Sequence, residues 1–133
     1  MLENLDYLRV KLENFQKALN KLAKILNVSE DVEYKIDAVI KRFEFTYELS
    51  WKLLKAVLEY KGLIAKTPRD CFKEAFAAGI IDDSDAWVNM IEDRNLISHT
   101  YQEDSANEIY ENIKEVYFAK FKELESLFLK EIE

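Results

Sequence analysis

The chain has 133 residues, the size of one domain, and residues 1–133 are read as a single helical-bundle domain. Two glycines and one proline, against average usages of about 7% and 5%, exclude a sheet protein, which needs a turn every 8–12 residues or so. One cysteine and one histidine exclude an intrachain disulfide framework and the usual His/Cys zinc sites within one chain, so neither metal nor cofactor is expected. The net charge of −7 argues against a general nucleic-acid binder, whose ligand would be repelled at long range.

Leu5, Leu8, Leu12, Phe15, Leu19, Leu22 and Leu26 step by three and four in strict alternation, the seam of a helix packed at a shallow angle. The spacing predicts a first helix over about residues 3–27, roughly 37 Å long. Ser29 or Asp31 can cap a second, over about 31–60, with Val32, Ile36, Val39, Phe43, Tyr47, Leu54 and Val57/Leu58 inward. Gly62 is a suitable left-handed stop for it.

Thr67-Pro68-Arg69-Asp70 reads as a helix start. Thr67 caps, Pro68 fills a first-turn position where its missing N–H costs nothing, and Asp70 faces the positive end of the dipole. This third helix is short and ends at Gly79. Asp82, Asp83 or Ser84 caps a fourth, which carries Trp87, Met90, Ile91, Arg94 and Ile97. Ser105-Ala-Asn-Glu108 fits a capping box and opens the last helix, with Ile109, Ile113, Val116, Tyr117, Phe121, Leu124 and Phe128 inward. The expectation is all-α: an up-and-down bundle of about five helices with a four-helix core. Its apolar faces are broad and its aromatics many (8 Phe, 7 Tyr, 2 Trp), which predicts a homodimer.

The longest run without a charged residue is Asn95 to Gln102, so no membrane span is expected. No apolar core follows a basic start as in a signal peptide, and a cytoplasmic protein is expected. Charge is unevenly spread. From Lys35 to Lys73 nine bases face five acids, a net of +4, which leaves −11 elsewhere. Such a basic middle suits a local anionic ligand or self-association, and equally a set of solvated helix faces.

Only Glu92-Asp93-Arg94-Asn95-Leu96-Ile97-Ser98-His99-Thr100-Tyr101 draws reactive residue types together. Arginine offers a permanent forked ligand for phosphate, and histidine is the default proton carrier near neutrality. Asn95 and His99 lie one turn apart on a helix, but Arg94 and His99 are about 140° apart around its axis. They converge only if the helix ends near Ser98 and the chain bends. The bland alternative is an Arg94 paired with a carboxylate of another helix and a His99 that caps a C-terminus. Glu44 and Glu48, at i and i+4, can share a site, sit on a solvated face or neutralise a nearby arginine. Cys71 has only His99 as an imidazole partner, and the two isolated glycines make no phosphate loop. Phe43, Phe45, Tyr47 and Trp51, at helical spacing, suit a core or an interface better than a base-stacking platform.

The segment Arg94 to Tyr101 resembles the R-x4-H-x-Y motif of the HepT-type branch of the HEPN superfamily. Arg42 to Lys52, Thr67 to Asp70, Glu74 to Ile80 and Trp87 to Tyr101 are similar, in that order, to the nucleotidyltransferase substrate-binding protein family. The resemblance covers most of the chain. It implies a dimerising helical bundle that acts as a metal-independent endoribonuclease, the toxin of a toxin–antitoxin pair. It also implies a minimal nucleotidyltransferase partner, the antitoxin, which adenylylates Tyr101. The other activity that it allows is a non-catalytic substrate-binding subunit of a two-component nucleotidyltransferase.

RNA cleavage by a ribose 2′-OH needs one proton removed from the nucleophile, another delivered to the leaving oxygen, and charge stabilised between them. One chain supplies one imidazole, and a two-fold dimer supplies two. In this reading Arg94 holds the scissile phosphate, His99 transfers protons, and Asn95 orients His99 or a phosphate oxygen. The family's arrangement gives Glu48 or Glu44 the task of fixing Arg94. The acidic net charge points to particular RNAs rather than promiscuous cleavage.

Overall fold

A computed structural model of the chain describes residues 2–99 and 103–132, with side chains over 5–97 and 105–132. Its elements are α1 (Leu2–Leu26), α2 (Lys35–Tyr60), α3 (Pro68–Ala77), α4 (Ser84–His99), α5 (Glu103–Asn112), a π-helical turn (Ile113–Tyr117) and α6 (Phe118–Ile132). The last three run on without a break, so residues 103–132 form one long helix with a widened turn inside it.

Contacts fix the directions. Lys35 lies over the Tyr110 ring, Phe43 stacks on Tyr117 and Lys61 pairs with Glu131, so α2 and the last helix run parallel. Asp83 meets Lys120, Trp87 meets Phe121 and Asp93 meets Asn112, so α4 runs the opposite way. With α1 folded back along α2, the four long elements form an up-down-up-down bundle, and α3 is inserted in the connection from α2 to α4. The α1 seam is buried from Leu8 to Leu22, as the three-four spacing requires.

Aromatic rings hold the elements together. Phe121 of α6 touches Phe15 of α1 (6.1 Å between centroids), Phe43 of α2 (6.1 Å) and Trp87 of α4 (5.8 Å). Trp87 continues to Phe72 of α3 at 5.0 Å, and Phe72 to Tyr47 of α2 at 6.4 Å. Two of these contacts are edge-on, a geometry worth about 0.5–1.5 kcal/mol beyond burial.

The caps explain most element ends. Thr67 Oγ1 accepts from Asp70 N at 3.1 Å with Pro68 in the first turn. Asp83 Oδ1 accepts from the backbone N–H of Asp85 (3.0 Å) and Ala86 (3.3 Å) and so caps α4. Gly62 and Gly79 stop α2 and α3 with φ of +85° and +75°.

Three expectations are corrected. Ser29 accepts a hydrogen bond from Asp31 N, but in a turn that precedes the helix. The chain needs a left-handed Tyr34 (φ 65°) before α2 starts at Lys35, and Val32 is left 48% exposed. Ser105 opens no capping box, because the helix already starts at Glu103. Val116 is exposed rather than inward, because the π-helical turn carries Ile113, Tyr117 and Phe121 to the core at successive steps of four. Among the described residues no helix is long and apolar enough to cross a membrane.

The Asp83 cap makes a prediction. Chiefly the bond from Ala86 N, and then Lys120, hold its carboxyl below the ordinary carboxylate range. Its contribution is therefore present above the unfolded value of about 3.9 and lost as pH falls through the folded value. Asp83→Ala should cost about 1 kcal/mol in urea unfolding at pH 7, and the gap between variant and wild type should narrow below pH 4 or so.

Candidate functional site

Arg94 stands where α4 leaves the core. Trp87, Met90 and Ile91 are buried on one face of α4, and Arg94 continues that face by one turn. It therefore emerges beside α2 and the start of α3. There a cleft of about 580 Å³ is lined by Tyr47, Glu48 and Trp51 of α2, by Thr67, Pro68 and Arg69 at the start of α3, and by Ile91, Arg94 and Asn95 of α4. The Thr67 cap, with Cys71 and Phe72 buried just beyond it, fixes where Arg69 projects.

The buried hydroxyl of Tyr47 reports on the charges around it. Burial first, and Glu48 second, push its pKa up to about 12, while Arg94 and Arg69 both pull it down. Two guanidinium groups from different helices thus act on one buried oxygen. Glu48 Oε1 lies 3.5 Å from Lys52 Nζ, a partner on its own helix. The indole N–H of Trp51 is buried with no hydrogen-bond partner among the described residues, a costly state for a donor.

The opposite side of α4 is fastened. Asp93 Oδ2 accepts from the Tyr117 hydroxyl at 2.5 Å and from Asn112 Nδ2 at 3.1 Å. Burial, and then this bond, raise the Tyr117 pKa. Adjacent residues of a helix point about 100° apart, so the hold on Asp93 sets the direction in which Arg94 leaves the helix.

The structure brings Arg94, Asn95 and Glu48 to one cleft; Glu44, a turn earlier on α2, does not line it. Helix α4 reaches His99, one residue past the expected stop. The His99 side chain and Tyr101 lie outside the described residues. Cys71 is fully buried, its thiol pushed up to about 11 by burial, with Sγ 3.9 Å from the Ala65 carbonyl oxygen. It is a packing residue. Of the aromatics spaced from Phe43 to Trp51 on α2, Phe43 and Tyr47 are core, Trp51 is half-buried in the cleft and Phe45 is 57% exposed.

Sequence reasoning missed two groups. Arg69 was visible only as one base of the +4 segment, because a cap motif says nothing of what its second residue faces. The Asp93–Tyr117 bond joins residues 24 apart and depends on the π-helical turn, which leaves no periodic signal.

The fold and the cleft define an all-α bundle with an arginine-lined cleft between its helices. The model of the family described as "Nucleotidyltransferase substrate binding protein like" matches residues 10–130. A protein of Haemophilus influenzae named "Probable ribonuclease HepT" is 35% identical over 101 residues, which is 72% of this chain and 65% of that protein; the chain thus spans just under two thirds of that relative. A crystal structure from Thermus thermophilus superposes with a TM-score of 0.73 at 29% identity, over 90% of this chain and 98% of the other. The structure of a tri-AMPylated Shewanella oneidensis HEPN toxin in complex with MNT antitoxin shares the fold, with a TM-score of 0.77 at 17% identity over 94% and 98% of the two chains. The chain belongs to the nucleotidyltransferase substrate binding protein-like family.

Cys71 supplies a test of this site's boundaries. Native protein at pH 8 should react with a thiol reagent orders of magnitude more slowly than urea-unfolded protein. Equal rates would show a thiol open to chemistry.

Proposed function

We propose that the protein is a metal-independent endoribonuclease of the HEPN type, the toxin of a pair whose antitoxin is a minimal nucleotidyltransferase. One observation carries the reading. The first residue of the R-x4-H-x-Y segment, Arg94, stands in an open cleft on a HEPN-type bundle, with Asn95 beside it. The Haemophilus relative's name and the Shewanella toxin–antitoxin complex support it.

In this mechanism Arg94 grips the scissile phosphate, and its fork stabilises charge as the 2′-OH attacks. His99 takes the proton from the nucleophile, and a second His99 delivers one to the leaving oxygen. Arg94 and His99, five residues apart on a helix that reaches His99, sit about 140° apart around its axis. A second copy supplies the missing imidazole, so the active form is a homodimer of single-domain protomers. Large apolar side chains left on the surface, among them Phe45, Ile64, Phe76 and Leu96, support that association. Asn95 orients His99 or a phosphate oxygen. Glu48, in the same cleft, is the better placed of the two carboxylates to fix Arg94. A cytoplasmic location follows from an RNA substrate.

The partner transferase silences the enzyme by moving AMP from ATP to the Tyr101 hydroxyl, with pyrophosphate as leaving group. The new phosphate then competes for Arg94. The description of the matching family favours a second reading, a non-catalytic subunit that presents a substrate to a nucleotidyltransferase.

Light scattering at micromolar concentration should give twice 15.7 kDa; the protomer mass would remove the composite site. Arg94→Ala and His99→Ala should each lower RNA cleavage by about 10²–10⁴, with melting unchanged and with wild-type activity intact in EDTA. Cleavage that persists in His99→Ala, or that EDTA abolishes, contradicts these roles. No cleavage of any RNA, with tight binding to a nucleotidyltransferase, selects the second reading. With the cognate transferase and ATP, intact mass should rise by AMP units on wild type and not on Tyr101→Phe, and only wild type should lose its nuclease activity.

A further inference from the structure

The cleft holds more than the ribonuclease reading uses. Across it from Arg94, Arg69 is exposed and enters no ion pair among the described residues. Its backbone is pinned by the Thr67 cap and by Pro68, so its side chain leaves from a fixed base. It acts on the same buried Tyr47 hydroxyl as Arg94. Arg69 and Arg94 thus reach one cleft from different helices, and two guanidinium groups in one cleft suit a ligand that carries more than one phosphate. The carboxylate nearest in the cleft, Glu48, is 3.5 Å from Lys52 and so is partly neutralised already. The half-buried Trp51 lines the same cleft with an aromatic surface, and its indole N–H has no partner among the described residues. Cation, aromatic wall and second cation form the arrangement that binds single-stranded nucleic acid.

We propose that Arg69 and Trp51 form a flanking-nucleotide subsite: Arg69 holds the phosphate next to the one at Arg94, and the Trp51 ring stacks the base between them. The subsite rests on the ribonuclease reading for the phosphate at Arg94, and it selects unpaired RNA, since a base within a duplex cannot reach the ring. The +4 segment from Lys35 to Lys73 builds two of the three walls and brings Arg69 to the cleft.

The test uses binding rather than cleavage. The probe is a fluorescein-labelled single-stranded oligonucleotide, 2′-O-methylated throughout so that no nucleophile is present, titrated with the full-length protein from 50 to 200 mM salt or so. Arg69→Ala should weaken binding about tenfold at the low end and flatten the plot of log affinity against log salt by about 0.7. Arg9→Ala, on the surface of α1 and paired with Asp6, controls for the loss of one positive charge and should change neither. Arg69→Lys should restore the salt slope, since the charge returns without the fork. The other tryptophan, Trp87, is 2% exposed, so quenching of indole emission by the bound probe should vanish in Trp51→Phe.

If Arg69→Ala behaves like Arg9→Ala, or if quenching survives in Trp51→Phe, the subsite is overturned and the ribonuclease reading stands. If the slope flattens but wild type cleaves none of a varied set of unmodified RNAs, the subsite stands as a binding site and the ribonuclease reading falls. Failure of wild type to bind the probe removes both.

Discussion

The ring of Phe121 is the point on which the bundle depends. It is fully buried and touches an aromatic ring from each of the three other long helices. Three helices that converge on one side chain cannot slide or rotate independently, because interiors packed to crystal-like density have no room for a second arrangement. The last helix must therefore deliver Phe121 at one height and one angle. The π-helical turn just before it makes this compatible with Ile109 and Ile113 also facing inward.

That delivery decides the position of Arg94 at second hand. The same widened turn carries Tyr117 onto Asp93, and Asp93 is the residue before Arg94 on α4. Trp87, against Phe121 and Phe72, fixes the other half of α4. The cleft is a by-product of the core: α4 is held from behind by the last helix, α3 is held from below by Phe72, and the gap between them opens above Tyr47. No flexible loop supplies the described walls, and groups held in this way need little reordering to act on a ligand.

The sequence made the helical layers legible because their signals are local and repeated. The α1 seam, Thr67, Gly62 and Gly79 each act within a turn or two of their own position. Arg94, Asn95 and Glu48 could be singled out as residue types suited to phosphate chemistry, and the fold brings them together. Val32 and Val116 could not be placed. Each sits beside a single irregular residue or turn, the left-handed Tyr34 and the π-helical turn, whose stabilisation comes from distant packing rather than from local preference. Arg69 stayed hidden for a related reason: its significance depends on what faces it from two other helices. Glu44 and Glu48 look equivalent in sequence, yet one turn of α2 is enough to put only Glu48 at the cleft.

The widened turn can also be viewed as one residue of slack. An α-helix that gains a residue must rotate everything after the insertion by about 100°, unless a turn opens to absorb it. Between Ile113 and Phe121 the core steps are four and four, whereas an unbroken α-helix keeps its seam with alternating threes and fours. Deletion of exposed Lys114 would return those steps to three and four and close the turn, with Phe121 still facing the core. Tyr117 would stay on that seam, and the closed turn would reset its height against Asp93. The helix thus holds one residue more than a regular α-helix with the same seam, and the turn that takes it up carries the Tyr117 bonded to the neighbour of Arg94.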